Sequence, residues 1–163
     1  MIEDELDLQI LENAMRLFFR AFKSPAYWEQ VGGHSKITID RLAAAILQVL
    51  TFKQVESSSV QDLANFLRVE APSITRKTQE LEGVGLLVRA HNQSDKRVTH
   101  LVVTEKGKKV AEMIIGAQKE TIKNTFKLWS KEDKHNLIAL FDKFSQDFNA
   151  NINQRQMIKK GKI

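Results

Sequence analysis

Apolar residues near the start of the chain fall on two adjacent lines of helical spacing. Leu11, Ala14, Phe18 and Phe22 follow one line, and Leu6, Ile10, Leu17 and Ala21 follow its neighbour. This predicts a helix over 4–23 with more apolar face than a single stripe. The next stretch, SPAYWEQVGGHSK, reads as a loop: Pro25 and the pair Gly32-Gly33 stop the helix and leave Tyr27 and Trp28 to be packed by other segments. From Ile39 to Phe52 helical character resumes around Leu42, Ile46, Val49 and Leu50.

Cap residues divide the rest. Ser59 is a good N-cap, with Asp62 placed to reach back to the cap backbone, so a short helix is expected from there to about Leu67. After the turn RVEA, Pro72 suits the first turn of a second helix, which Gly83 or Gly85 closes. LLVRA and VTHLVV, rich in Leu and β-branched residues and separated by seven polar residues, read as a β-hairpin with a long loop. Thr104 caps a long helix whose apolar positions include Val110, Ile114 and Ala117 and run on to Phe126 and Trp129. SKED repeats the capping pattern with Ser130 and Asp133, and opens a last helix with Leu137, Phe141, Phe144, Phe148 and Ile152 at near-heptad spacing. The middle order of helix, turn, helix, hairpin is that of a winged helix-turn-helix.

Composition narrows the chemistry. The 163 residues carry 25 Lys and Arg against 20 Asp and Glu, a modest surplus of +5. Its distribution is more telling than its size. Residues 59–109 hold nine cations against six anions, whereas residues 1–22 hold five anions against two cations. The basic surplus therefore coincides with the winged helix, which favours nucleic acid over a uniformly charged surface. There is no cysteine, so disulfides, thiolate zinc sites and thiol switching are absent. No apolar stretch approaches the ~20 residues needed to cross a bilayer, and the acidic opening MIEDELDLQI does not resemble a secretion signal, so a cytoplasmic protein without membrane contact is expected. His34, His91, His100 and His135 show no paired ligand spacing, and no nucleophile motif or Gly-rich phosphate loop occurs. Neither metal, cofactor nor enzymatic activity is expected.

The second helix of the motif carries the candidate interface. If Ile74 faces inward, a 100° step per residue brings Thr78 and Leu81 to the same side and turns Pro72, Thr75, Arg76 and Gln79 outward. Hydroxyls, an amide and a guanidinium are groups that bond base edges and phosphates, and a helix fits the major groove. Ser73 lies near the helix N-terminus, where free backbone N–H groups favour a phosphate. Lys77 lies toward the edge of the buried side, in reach of a phosphate or simply solvated. In the hairpin loop, Lys96 and Arg97 can track phosphates or enter the minor groove, and Asp95 can brace Arg76 or Arg97 as a bidentate partner. A plainly solvated helix face and a charge pair in an exposed turn are the competing readings of the same residues.

From Val60 to Val110 the chain resembles the MarR family of bacterial transcriptional regulators. The resemblance rests on Leu63-Ala64, Ser73-Ile74-Thr75-Arg76, Leu81-Glu82, Gly85-Leu86, the Asp95-x-Arg97 wing and Thr104-Glu105-Lys106-Gly107, in the family's order. It implies a homodimer built from terminal helices on a palindromic double-stranded DNA operator, with helix 72–82 in the major groove and the wing at the minor groove. It further implies that Asp95 braces the wing or the recognition helix, that Arg97 reaches DNA, and that many members lose DNA affinity when a small aromatic or phenolic anion enters a crevice between the dimer layer and the winged helix. Tyr27 and Trp28 are the candidate lining of such a crevice, with ordinary packing as the alternative. The chain departs from the family where Lys77-Thr78 replaces an apolar pair.

The expected fold is mainly α with a small β-hairpin wing: a winged helix-turn-helix over residues 36–103, flanked by helical dimerisation segments 1–35 and 104–163. The expected function is a sequence-specific DNA-binding regulator, a repressor responsive to a small effector. The alternative is a winged helix that binds protein and no specific DNA.

Overall fold

The computed structural model describes residues 5–32, 39–52, 57–91 and 99–159. The chain divides into two compact units, 1–119 and 120–163.

The first unit contains α1 (Glu5–Lys23), α2 (Pro25–Gly32), α3 (Arg41–Phe52), β1 (Ser57–Ser58), α4 (Val60–Leu67), α5 (Ala71–Gly83), β2 (Leu87–His91), β3 (Thr99–Val103) and most of α6 (Glu105–Thr125). Its core gathers Ile46, Leu47 and Leu50 of α3, Leu63 of α4, Ile74 of α5, Leu87 and Leu101 of the sheet and Ile114 of α6, all effectively out of water. The strands pair antiparallel in the order β1-β3-β2, with Leu87 opposite Val103 and His91 opposite Thr99. The hairpin read from the sequence is present, and β1 adds a short third strand through Ser57 opposite Val102.

Caps set the boundaries as their spacing predicts. Asp62 N–H donates to Ser59 Oγ at 3.0 Å while Ser59 N–H donates to Asp62 Oδ2 at 3.1 Å, a reciprocal capping box. The Ser59 hydroxyl and backbone N–H hold the Asp62 carboxyl below the usual carboxylate range. A depressed carboxyl contributes stability above its unfolded pKa, and that contribution is lost as pH falls through the folded value. Asp62→Ala is therefore expected to lower Tm at pH 7 by about 2–4 °C. The deficit should shrink as pH is lowered below the ordinary aspartate pKa of about 4, where the unfolded carboxyl begins to protonate while the folded one still holds its charge. Thermal melts across pH check it, and a deficit that stays constant down to pH 2 would refute the charge-dependent part.

Two segments differ from their sequence reading. Residues 25–32, expected as loop, form α2. Proline is well placed at the first helical position, and Ser24 Oγ accepts the Tyr27 N–H at 3.2 Å as a cap. The Trp28 indole is buried, and its Nε1–H donates to Phe22 O at 2.9 Å, locking α2 against the end of α1. The long helix expected to reach Trp129 ends at Thr125, and tight turns follow, with the Trp129 N–H on Phe126 O at 3.1 Å. The chain must leave helical geometry there because Ser130 caps the next helix, accepting the Asp133 N–H at 3.0 Å.

The second unit holds the end of α6 and α7 (Lys131–Lys159). Leu137, Ile138, Leu140, Phe141 and Phe148 of α7 are exposed.

Candidate nucleic-acid interface

Helices α4 and α5 are joined by a turn in which Arg68 takes the left-handed conformation at φ 53° and sends its N–H back to Ala64 O. The Val69 N–H also reaches Ala64 O, at 3.0 Å, so the chain reverses within three residues. The α5 helix then starts with Pro72 in its first turn.

One side of α5 is sealed. Ile74 and Thr78 are fully buried and Leu81 nearly so. Thr78, which stands where an apolar residue is usual, satisfies its buried hydroxyl by donating to Thr75 O at 3.0 Å, so polarity costs the core little. The outward side carries Pro72, Arg76 and Gln79, all exposed, with Ser73 and Thr75 half-buried at its margins. The Thr75 hydroxyl donates to Ala71 O at 3.0 Å, and the Arg76 guanidinium lies 3.9 Å from Glu80 with most of its surface free to solvent.

Lys77 has a different environment. Its ammonium stands 2.7 Å from Asp40 Oδ2 and also pairs with Glu80. Burial pushes the Lys77 ammonium pKa down, but the hydrogen bonds and charges of Asp40 and Glu80 outweigh it and leave the pKa raised. For Asp40, burial pushes the carboxyl up, and the Ala43 N–H and Lys77 outweigh this and hold it below the usual range. Both groups stay charged throughout the neutral range.

The far end of α5 is clamped to the hairpin and to α6. Gly85, at φ 73°, makes the exit turn, where glycine avoids the Cβ clash of that conformation. Arg89 of β2 donates through Nε to Glu82, and Lys106 Nζ donates to Val84 O at 2.7 Å. Thr104 donates its hydroxyl to Gly85 O at 2.9 Å and accepts the Gly107 N–H at 3.0 Å. The strands that carry the wing are thus held in fixed relation to α5. Asp95, Lys96 and Arg97 lie outside the described residues.

Sequence reasoning did not single out Asp40 or Arg89, and it named Lys106 only within the run that carries the resemblance. Asp40 has a local signal, since it precedes a helix as an N-cap, but its pairing with Lys77 leaves no trace in spacing. Tyr27 and Trp28 meet Phe22 in a ring cluster with centroids 5.1–5.6 Å apart. Burial raises the Tyr27 phenol pKa, partly opposed by a hydrogen bond with Gln118, whose Oε1 also accepts from Gln48 Nε2 at 2.9 Å. Among the described residues, no group of three His, Asp or Glu side chains is placed to hold a metal ion, and no helix is long and apolar enough to cross a membrane.

A helix anchored by one face after a tight turn, and followed by a clamped antiparallel hairpin, defines the winged helix-turn-helix class. Residues 49–99, from the end of α3 to the first residue of β3, match the model of the MarR family. Over its length the chain is similar to the uncharacterised HTH-type transcriptional regulator YwhA of Bacillus subtilis, at 22% identity across 90% of this chain and all of that one. It is also similar to the HTH-type transcriptional repressor MdtR of the same organism, at 24% identity across 72% of this chain and 75% of that one. Among solved structures, a MarR family protein from Bacillus stearothermophilus superposes with a TM-score of 0.77 at 20% identity, covering 90% of this chain and 98% of the other. Streptococcus pneumoniae FabT, solved in complex with DNA, superposes with a TM-score of 0.74 at 17% identity, covering 88% and 98%.

Proposed function

We propose that this protein is a transcriptional regulator that binds double-stranded DNA as a homodimer. The carrying observation is the division of α5, with Ile74, Thr78 and Leu81 sealed in the core and Pro72, Arg76 and Gln79 presented to solvent. Ser73 and Thr75 border that surface, and Asp95, Lys96 and Arg97 are the further residues proposed to contact the duplex. The basic surplus around the motif and the DNA complex of the similar FabT protein support the same reading.

Dimerisation through segments 1–35 and 104–163 is part of the proposal. No residue of α1 is buried, although Leu17 is 59% and Phe18 56% exposed. A 19-residue helix with that much open apolar surface needs a partner to be stable in water. Two copies would present two α5 helices about 34 Å apart, so the operator is two-fold symmetric. Repression, and release by a small aromatic or phenolic effector near Tyr27 and Trp28, complete the proposed cycle.

Selection from random duplex, followed by anisotropy titration of the winning site at two salt concentrations, tests it. A palindromic winner is expected, with affinity falling steeply with salt. Arg97→Ala is expected to weaken binding about ten- to hundredfold, the size of one charged groove contact. Equal affinity for every duplex would remove the sequence-specific part. Absence of any salt-dependent DNA binding would turn the interpretation toward a winged helix that docks protein.

A further inference from the structure

Asp40 serves two elements at once. Its Oδ1 accepts the Ala43 N–H at 2.8 Å and closes the first turn of α3, while its Oδ2 meets the Lys77 ammonium 2.7 Å away on α5. Lys77 also pairs with Glu80, one turn further along its own helix. Only 13% of the Lys77 side chain is exposed, against 80% for neighbouring Arg76. Its ammonium is therefore enclosed by two carboxylates and withdrawn from the face that Arg76 occupies.

The buried anchors of α5 are nearly collinear. Ile74, Thr78 and Leu81 lie within about 60° of arc, so apolar packing alone resists translation of the helix better than rotation about its axis. Lys77 lies about 60° round from Ile74, on the flank, where a tether to a neighbouring helix opposes that rotation. The α3 helix is a suitable post for the tether, since Ile46, Leu47 and Leu50 fix it in the core.

Building on the DNA-binding reading, we propose that Lys77 is a positioning residue. It clasps the recognition helix to the N-terminus of α3 through Asp40 and sets the helix's rotation in the groove, instead of contacting a phosphate. The role expected for Lys77 from its position alone is changed accordingly. A clasp of this kind controls which bases Arg76 and Gln79 face, so its loss falls on specific binding and spares nonspecific attraction.

Asp40→Asn is the decisive variant, because asparagine caps a helix as well as aspartate but cannot pair with the ammonium charge. Wild type, Asp40→Asn, Lys77→Gln and the double variant are titrated against the selected duplex and a scrambled one at two salt concentrations. Circular dichroism melts confirm folding, and Asp40→Asn carries the test if Lys77→Gln does not fold. Each single variant is expected to weaken binding to the selected duplex about tenfold, the worth of one charge-assisted hydrogen bond. The scrambled duplex should change by less than about twofold, and the double variant should be little worse than either single one. A phosphate contact predicts the opposite sign for Asp40→Asn, since freeing Lys77 and removing an anion would tighten binding to both duplexes. It also predicts that Lys77→Gln lowers the salt slope by about 0.9. Tighter or unchanged binding by Asp40→Asn overturns the inference alone. A wild type that does not distinguish the duplexes overturns the DNA-reading function and the inference with it.

Discussion

Gly107→Ala is expected to destabilise the protein by about 2–3 kcal/mol, lowering Tm by about 4–12 °C. A methyl group at Gly107 would lie 2.2 Å from Leu86 O and 2.7 Å from Val103 Cγ2. The carbonyl cannot move aside cheaply, because it accepts the Thr104 N–H at 3.0 Å and the Thr104 hydroxyl at 3.2 Å. Alanine gains about 1 kcal/mol over glycine in helix propensity, and the expected loss is what remains after that gain. Gly116, further along the same helix, is the control. A Cβ there meets nothing within 4 Å, so Gly116→Ala should stabilise by about 0.5–1 kcal/mol. Urea or thermal unfolding of the two variants should give opposite signs. A Gly107→Ala protein as stable as wild type would mean that the close passage of α6 over the end of the α5 turn is wrong.

Phe18→Asp is expected to convert a dimer into a monomer and to reduce operator affinity more than a hundredfold. Leu17, Phe18 and Phe19 lie open on α1, and among the described residues the Phe18 ring meets only rings of its own helix, Phe19 edge-on at 5.7 Å and Phe22 stacked at 6.2 Å between centroids. Covering such side chains contributes about 1.5–3 kcal/mol each, and a carboxylate placed among them must be desolvated without a partner. Two half-sites bound by separate monomers also lose the gain in effective concentration that a linked pair enjoys. Sedimentation equilibrium of wild type and variant, beside anisotropy on the selected duplex, measures both effects. A wild type that sediments as a monomer, or a variant that remains dimeric, would refute the role of α1.

Local signals were the readable ones. The Ser59–Asp62 and Ser130–Asp133 caps were visible because each motif spans four residues, and the inward side of α5 followed from Ile74 with one angle and a step of 100°. The α2 helix was missed because it is short and flanked by Pro25 and Gly32, and its stability comes from Trp28 against Phe22 more than from its own periodicity. Arg68 gives no warning of its left-handed turn, a position that composition alone would assign to glycine or asparagine. The link from Asp40 to Lys77 is a tertiary fact, since 36 residues and three elements intervene.

The sealing of α5 by three side chains bears on how its target preference can be altered. Folding depends on Ile74, Thr78 and Leu81 and on the clamp at Glu82 to Leu86, whereas Pro72, Ser73, Arg76 and Gln79 are not part of that core. A library randomised at those four positions should consist mostly of folded members, and differences among them would report recognition instead of stability. Under the proposed DNA-binding role, α5 is a nearly separable reading head, whose preference can be rewritten on an unchanged scaffold.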